Sequence, residues 1–583
     1  MEPLMSENRR RSIVHVPQGF GFAERSGQTG PTSLDSRQLR ALAMRRQRLV
    51  GLGSMFAIAG LILTFQLVNL AIFSEDNDRR HVPYRVSAQD AQDRRDIIDR
   101  NDQLLATNLK TVTLYADARD IRDADEAARQ LMSVFPEFDH HALSQKLSAG
   151  RAWVVLRHDL TPRQHSDVHA LGIPGFRFEA RPRRVYPKGS LVSHIVGFVG
   201  SEGIGLIGLE KTLNEELVSQ DERAPVELSI DLRVQYIMRD ELAASMQEFK
   251  AKAASGLVMD VNTGEILAMV SLPDFDPNDI DNTVPDQLFN RATLGVYEMG
   301  STFKAFNTAM ALDSGLINIE DRFDATGPYK VANRTIHDLH PENRWLTVSE
   351  VFTVSSNIGS ARIAHQVGAQ VQSEFLERLG LFDRAAVEIP EIGRPLLPIK
   401  WGPTETATVS YGHGISVSPL SIAAAMASLI NGGFKIEPTV LRQRNFDAST
   451  RPRVVHTKTS TQMRRLMRQV VTQGTGSKAD VPGYSVGGKT GTADKPSAGG
   501  YDRRALITSF VGIFPSNNPQ YLVLAVLDEP QGTKDTWGYR GAGWNAAPTV
   551  GAVVRRAAPI MGVRPGFEVS PFADTTQIAS TQQ

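Results

Sequence analysis

The chain has 583 residues, 41% of them apolar and 22% charged, which is more than one hydrophobic core supports and implies two or more domains. Lys+Arg and Asp+Glu are both 64, so the basic excess of a dedicated nucleic-acid binder is missing and no nucleic-acid partner is expected. There is no Cys, which excludes disulfides, thiol nucleophiles and Cys-ligated metal or iron–sulfur centres.

Residues 1–48 read as a basic tail, with nine Arg against four acids. Residues 49–73, from Leu49 to Phe73, carry no charge at all. At 1.5 Å per residue, about 20 helical residues cross a bilayer core, so this run is predicted to be a transmembrane helix. It starts too late and is too long for a cleaved signal peptide. Arg45, Arg46 and Arg48 precede it, and Glu75, Asp76 and Asp78 follow it. The positive-inside rule then puts the tail in the cytoplasm and residues 74–583 outside. No second span is expected, because Ser421 to Ile430 is short and Ala-rich and reads as a core helix.

Residues 74–225 mix strand-like runs, such as Thr111 to Tyr115 and Trp153 to Leu156, with a helix over 123–134 and frequent Pro and Gly. They read as an α+β module without a catalytic constellation. A boundary is placed near Asp221 to Pro225. A strand is expected over Val226 to Ile230 and a helix over about 233–250. A hairpin follows, with Gly256 to Asp260 and Glu265 to Val270 as its arms. Two further strands are expected at Ala505 to Phe514 and Tyr521 to Leu527, with helices over 303–313, 360–367 and 418–430 between the two strand groups. Such an order predicts one domain, 226–562, whose sheet joins distant segments. Residues 563–583 read as a flexible tail.

The chemistry concentrates in three places. In Gly300-Ser301-Thr302-Phe303-Lys304, Ser301 opens a helical pattern in which positions i and i+3 share a face, so Lys304 is expected to reach the Ser301 hydroxyl. A serine needs a base to become a nucleophile, and a lysine is that base once burial or a nearby cation lowers its pKa. Ser-x-x-Lys arises by chance roughly once in a chain of this length, and here it occurs once. Ser355-Ser356-Asn357 offers a hydroxyl and an amide two residues apart, able to face one cleft. Lys489-Thr490-Gly491-Thr492 offers a cation, two hydroxyls and a small residue along a strand edge, suited to an extended substrate. Taken singly, the second is also read as a capping Ser pair and the third as a solvated Lys beside a turn. All three in this order point to one site.

The set resembles the penicillin-recognising serine acyl-transferases, whose signatures are Ser-x-x-Lys, Ser-x-Asn and Lys-Thr-Gly. The resemblance extends over roughly 90–555 and is to class B penicillin-binding proteins. Tyr186-Pro187-Lys188-Gly189, His194 and Gly208-Leu209-Glu210 resemble motifs of their pedestal. The run 260–269, Phe275-Asp276-Pro277-Asn278, Asn290-Arg291-Ala292, the run 411–420 and Asn431-Gly432-Gly433 resemble their transpeptidase domain. The Ser-Ser-Asn form, the single anchor and the lack of added C-terminal modules resemble the division-specific, penicillin-binding protein 3 subgroup.

The resemblance implies an α+β fold: a transmembrane helix, an elongated α+β pedestal over 74–225, and a transpeptidase domain with an antiparallel sheet flanked by helices. It implies a D,D-transpeptidase that cross-links peptidoglycan stem peptides during septal wall synthesis and is a target of β-lactams. Ser301 would be the nucleophile and Lys304 its base. Ser355, with Lys489, would pass a proton to the leaving amine, and Asn357 would hold the donor peptide. Ser356, Thr490, Gly491 and Thr492 would line the substrate, with an oxyanion hole from the N–H groups of Ser301 and Thr492. No metal and no cofactor are implied. The implied partners are donor and acceptor strands, β-lactams, an FtsW-like glycan polymerase of the SEDS type and other division proteins. The implied location is the inner membrane, with the catalytic domain periplasmic and at the septum. A lateral-wall transpeptidase and a catalytically silent division scaffold are the alternatives.

The family pattern is broken in places: Arg95 and Asp102 stand where two glycines are usual, and Met299 where Pro is usual. Rival readings are weaker. A Ser-His-Asp hydrolase is set aside here for want of a Gly-x-Ser-x-Gly elbow. A metalloenzyme lacks His-Glu-x-x-His, and the segment from His337 to His340 reads as a surface loop. His413, in a Gly-rich run, reads as a turn residue. A β-lactamase would lack the pedestal.

Overall fold

The computed structural model describes residues 94–566, except 220–222, 333 and 498–499. The predicted cytoplasmic tail and membrane span, and residues 567–583 of the predicted C-terminal tail, lie outside the described residues. Among the described residues no helix is long and apolar enough to cross a membrane.

The first sheet is built from β1 (Ile97–Ile98), β2 (Leu104–Ala116), β3 (Val154–Leu160), β4 (Phe176–Val185) and β5 (Val226–Glu227). Its order is β3-β2-β1-β5, and β4 also pairs with β2. Helix α1 (Ala124–Val134) buries Ala127, Ala128 and Leu131, and its N-cap Asp123 accepts from the first-turn N–H groups. The strand expected over Val226 to Ile230 is shorter than its alternating pattern suggests. Val226 and Glu227 pair in parallel with β1, and Leu228 makes a separate antiparallel bridge to Leu441, so this segment joins the first sheet and not the second.

Helix α2 (Leu232–Glu248), capped by Asp231, leads into the hairpin β6 (Ala253–Asp260) and β7 (Ile266–Leu272). Then come α3 (Lys304–Asp313), α4 (Val348–Thr353), α5 (Asn357–Val367), α6 (Pro419–Ile430), α7 (Thr457–Gln473), β8 (Gly487–Ser497), β9 (Gly500–Phe514), β10 (Tyr521–Asp528) and α8 (Ala546–Ala557). The second sheet has the order β8-β9-β10-β6-β7 and is antiparallel throughout, so strands from both ends of the domain meet at the β10–β6 ladder. Alternation sorts β10 onto two cores. Val523, Ala525 and Leu527 pack with α2 and α8, while Leu522, Leu524 and Val526 face the core that holds α3 and α6. Both faces are covered, and this explains why these strands read as unbroken apolar runs. All twelve residues of α6 are buried, as its composition implies.

The segments that resemble pedestal motifs build the joint between the two sheets. Glu210 is fully buried and paired with Arg94 Nε at 2.9 Å and Arg184 Nε at 2.7 Å. The Asn278 side chain clasps the backbone N and O of Tyr186, both at 3.0 Å. The His194 ring meets the Gln287 carbonyl at 2.8 Å, and burial pushes its pKa down to about 4. The departure at Asp102 keeps the turn a glycine would make: its φ is 61°, in the left-handed region that Asp tolerates better than most residues. Arg95 Nε donates to the Ala224 carbonyl, which ties the segment before β1 to the segment before β5.

Candidate active site

The turn that carries Ser301 begins at Met299, which is buried, and Gly300, whose φ is +51°. Gly300 to Phe303 form a tight 3-10 turn that runs on into α3. Phe303, Phe306 and Met310 point into the core as their spacing predicts. A Cβ on Gly300 would lie 2.4 Å from the Thr492 carbonyl, so the turn rests directly on strand β8. β8 is an edge strand, and a residue of an antiparallel strand directs its N–H and C=O to the same side. The Thr492 N–H therefore faces the turn and not the β9 ladder.

Lys304 and Lys489 are 1% and 0% exposed. Both reach the same hydroxyl. Lys304 Nζ lies 3.1 Å from Ser355 Oγ and also donates to the Ser355 carbonyl. Lys489 Nζ lies 3.0 Å from Ser355 Oγ and 3.2 Å from the Thr490 carbonyl. Burial, then the neighbouring charge of Lys489, holds Lys304 well below the usual lysine pKa, against a smaller opposing pull from Asp338. Burial alone lowers Lys489 to about 7. The Ser301 hydroxyl takes no protein partner among the described residues, so the expected Lys304–Ser301 contact is replaced by Lys304–Ser355. Ser355 has φ 65°, a strained position for a residue with a Cβ.

Ser301, Ser355, Asn357, Thr490 and Thr492 line one cleft of about 1410 Å³. Ser356 and Gly491, expected to touch substrate, are not on its wall. Ser356 is buried and caps α5: its Oγ accepts from Gly359 N at 2.9 Å and donates to Asp338 at 2.7 Å. The capping reading, not the binding one, describes its contacts. Gly491 faces inward. A Cβ there would lie 2.4 Å from the Met299 carbonyl, Thr302 Oγ1 and Ser509 Oγ, so its missing side chain admits the turn that carries Ser301 and not a ligand. The Thr490 and Thr475 hydroxyls are hydrogen-bonded at 2.7 Å, and Thr492 Oγ1 accepts from Ala542 N at 3.1 Å.

The segment from His337 to His340 is exposed at His337, Leu339 and His340, as a surface loop is, but it is anchored through Asp338. Asp338 lines the cleft and accepts from Ser356 Oγ and from the N–H groups of Asn357 and Ile358. The His337 carbonyl accepts from Asn357 Nδ2 at 3.0 Å. The only sequence signal was a polar cluster ahead of Ser355-Ser356-Asn357. The His413 ring lies 5.3 Å from both Tyr411 and Tyr501 and forms cleft wall, and burial lowers its pKa.

Contrary to expectation, the chain does contain a Gly-x-Ser-x-Gly sequence, at Gly483-Tyr484-Ser485-Val486-Gly487. It is not an elbow, because it leads into strand β8 where an elbow leads from strand to helix. Ser485 Oγ pairs with the buried Ser516 Oγ at 2.9 Å.

A family model described as the penicillin binding protein transpeptidase domain matches residues 254–552, and one described as the penicillin-binding protein dimerisation domain matches 90–234. A probable peptidoglycan D,D-transpeptidase FtsI from Caulobacter vibrioides is 42% identical, over 84% of this chain and 85% of its own. The chain belongs to the penicillin-binding protein transpeptidase family. The peptidoglycan D,D-transpeptidase FtsI of Escherichia coli K12 is 28% identical over 87% of this chain and 90% of its own. Penicillin-binding protein 3 from Mycobacterium tuberculosis, solved with aztreonam, superposes with a TM-score of 0.64 at 25% identity, covering 82% of this chain and 97% of that one. For a penicillin-binding protein, the Met299 departure changes little that the structure records: its side chain is core, and its carbonyl still accepts the Thr302 N–H at 3.3 Å.

Proposed function

We propose that this protein is a membrane-anchored, FtsI-type peptidoglycan D,D-transpeptidase that cross-links stem peptides at the division septum and is acylated by β-lactams. The observation that carries the residue assignment is the pair of buried amines on Ser355 Oγ beside Ser301 in one cleft.

The steps follow from that arrangement. Neutral Lys304 takes the Ser301 proton as Oγ attacks the carbonyl between the two terminal D-alanines. The N–H groups of Ser301 and Thr492 hold the resulting oxyanion. The C–N bond then breaks. The leaving D-alanine amine takes the Ser355 hydroxyl proton, which Lys489 replaces while Lys304 holds the proton from Ser301. Thr490 and Thr492 hydroxyls bind the terminal carboxylate, and Asn357 holds the donor backbone. The acceptor amine on a neighbouring strand attacks the acyl-Ser301 ester and passes a proton through Ser355 to Lys489; the ester C–O bond breaks as Lys304 returns its proton to the Ser301 oxygen, and the cross-link is formed with both lysines restored. A β-lactam takes the donor's place and stays esterified.

The uncharged run from Leu49 to Phe73 and its flanking arginines support a single inner-membrane anchor with a periplasmic catalytic domain. Likeness to FtsI proteins supports a septal role beside a SEDS-type polymerase and other division proteins. Labelling the full chain with a fluorescent penicillin tests the assignment: Ser301→Ala should lose the covalent label. A label retained on the variant refutes it. Mid-cell position of a fluorescent fusion tests the septal role.

A further inference from the structure

One end of the cleft is held by a group that the steps above leave unused. Glu298 lies three residues before Ser301 and is 7% exposed. Its Oε1 accepts from Gly414 N at 2.9 Å and from the Tyr501 phenol at 3.0 Å. Its Oε2 is buried and has no hydrogen-bond partner among the described residues. A half-satisfied buried carboxylate costs stability, which calls for some other reason for its presence.

Its two donors come from separate parts of the chain. Gly414 ends the loop whose next strand-like residues bridge back to the nucleophile segment, Val417 against Tyr297. Tyr501 pairs with Pro496 near the end of the β8–β9 hairpin. The ladder breaks register before that point: Asp494 pairs with Leu506, but Lys495 pairs with Asp502. Sheet hydrogen bonding therefore does not by itself fix the hairpin end relative to Ser301. Side-chain contacts do. Tyr501 bonds Glu298, its ring meets His413 edge-on, Arg540 donates to the Arg503 and Arg504 carbonyls, and Lys495 Nζ pairs with Asp528 at 2.8 Å and Glu529 at 3.0 Å. Tyr501, His413, Gly414 and Ser301 all line the same cleft.

We propose that Glu298 is a positioning residue that ties the Tyr501 end of the hairpin and the Gly414 loop to the nucleophile turn, so that the donor is presented to Ser301 in one geometry. The inference rests on Ser301 being the acylated residue. It sets an orientation and makes no contact with the reacting atoms.

The test uses the full chain in detergent and a fluorescent penicillin, with the non-covalent dissociation constant and the acylation rate constant measured separately. Tyr501→Phe removes one hydroxyl and keeps the ring; Glu298→Gln keeps the shape and removes the charge. Each should slow acylation about tenfold, with little change in dissociation constant. The double variant should lose no more than the worse single one. Tyr521→Phe, which removes a 3.4 Å bond to the Met561 carbonyl, neither residue lining the cleft, should acylate normally. Wild-type acylation in both variants, additive losses, or a loss that follows the thermal unfolding midpoint overturns the proposal. A wild-type adduct on a residue other than Ser301 overturns the nucleophile assignment and this inference with it.

Discussion

Lys489 Nζ stands 3.0 Å from Ser355 Oγ, which brings a strand residue to the hydroxyl that Lys304 reaches from the nucleophile helix. In the proposed mechanism Ser355 is the junction of the proton path. Ser355→Ala should leave Ser301 and Lys304 in place yet slow acylation about a hundredfold, since positioned proton transfer contributes roughly 10²–10⁴-fold. Penicillin labelling kinetics check this. A loss below threefold would exclude Ser355 from the path.

The two lysines predict a pH profile. In the proposed mechanism acylation needs Lys304 neutral, so its second-order rate should rise with pH through the depressed Lys304 pKa. It also needs a proton on Lys489, so it falls as pH passes about 7. Lys489→Arg should move the falling limb upward, because arginine does not deprotonate. The stability consequence has the opposite sign. Lys489 falls from 10.5 to about 7 on folding, so between those values the unfolded chain binds more protons and stability rises with pH. Urea titrations across that window read the slope.

Asp338 positions α5 by accepting from Ser356 Oγ and two backbone N–H groups. Asp338→Ala should destabilise by about 1–2 kcal/mol, the scale of a lost cap. It should also weaken β-lactam binding through Asn357. Asp338→Asn should recover part of both, because an amide oxygen still accepts. Equal effects of the two substitutions would argue against the capping role.

Glu210 is paired with two arginines at zero exposure. Glu210→Ala leaves two buried cations facing each other and should cost about 3–5 kcal/mol in an unfolding measurement. Acylation by penicillin below the lowered midpoint should persist, because the cluster lies in the joint and not in the cleft.

Asp102 occupies a left-handed turn with φ 61°. Asp102→Gly should be neutral or slightly stabilising, whereas Asp102→Val, with a branched Cβ, should cost about 1–2 kcal/mol. Thermal midpoints distinguish the two, and equal shifts would remove backbone strain as the explanation.

Much of this was legible in the residues. The apolar runs of the sheet, the helical pattern after Ser301 and the make-up of each motif depend on neighbours a few positions apart, and local periodicity records such neighbours directly. The same logic misjudged Ser356 and Gly491. Each sits inside a motif with true cleft residues, but side-chain direction alternates within a few positions, and proximity in sequence does not say which side chain turns inward. Tertiary structure alone decided that Lys304 meets Ser355, that Asp338 caps α5 and that Glu298 binds Tyr501 across 203 residues. Those contacts join elements whose own patterns are satisfied either way. Only the packing of the sheet edge against the nucleophile turn selects them.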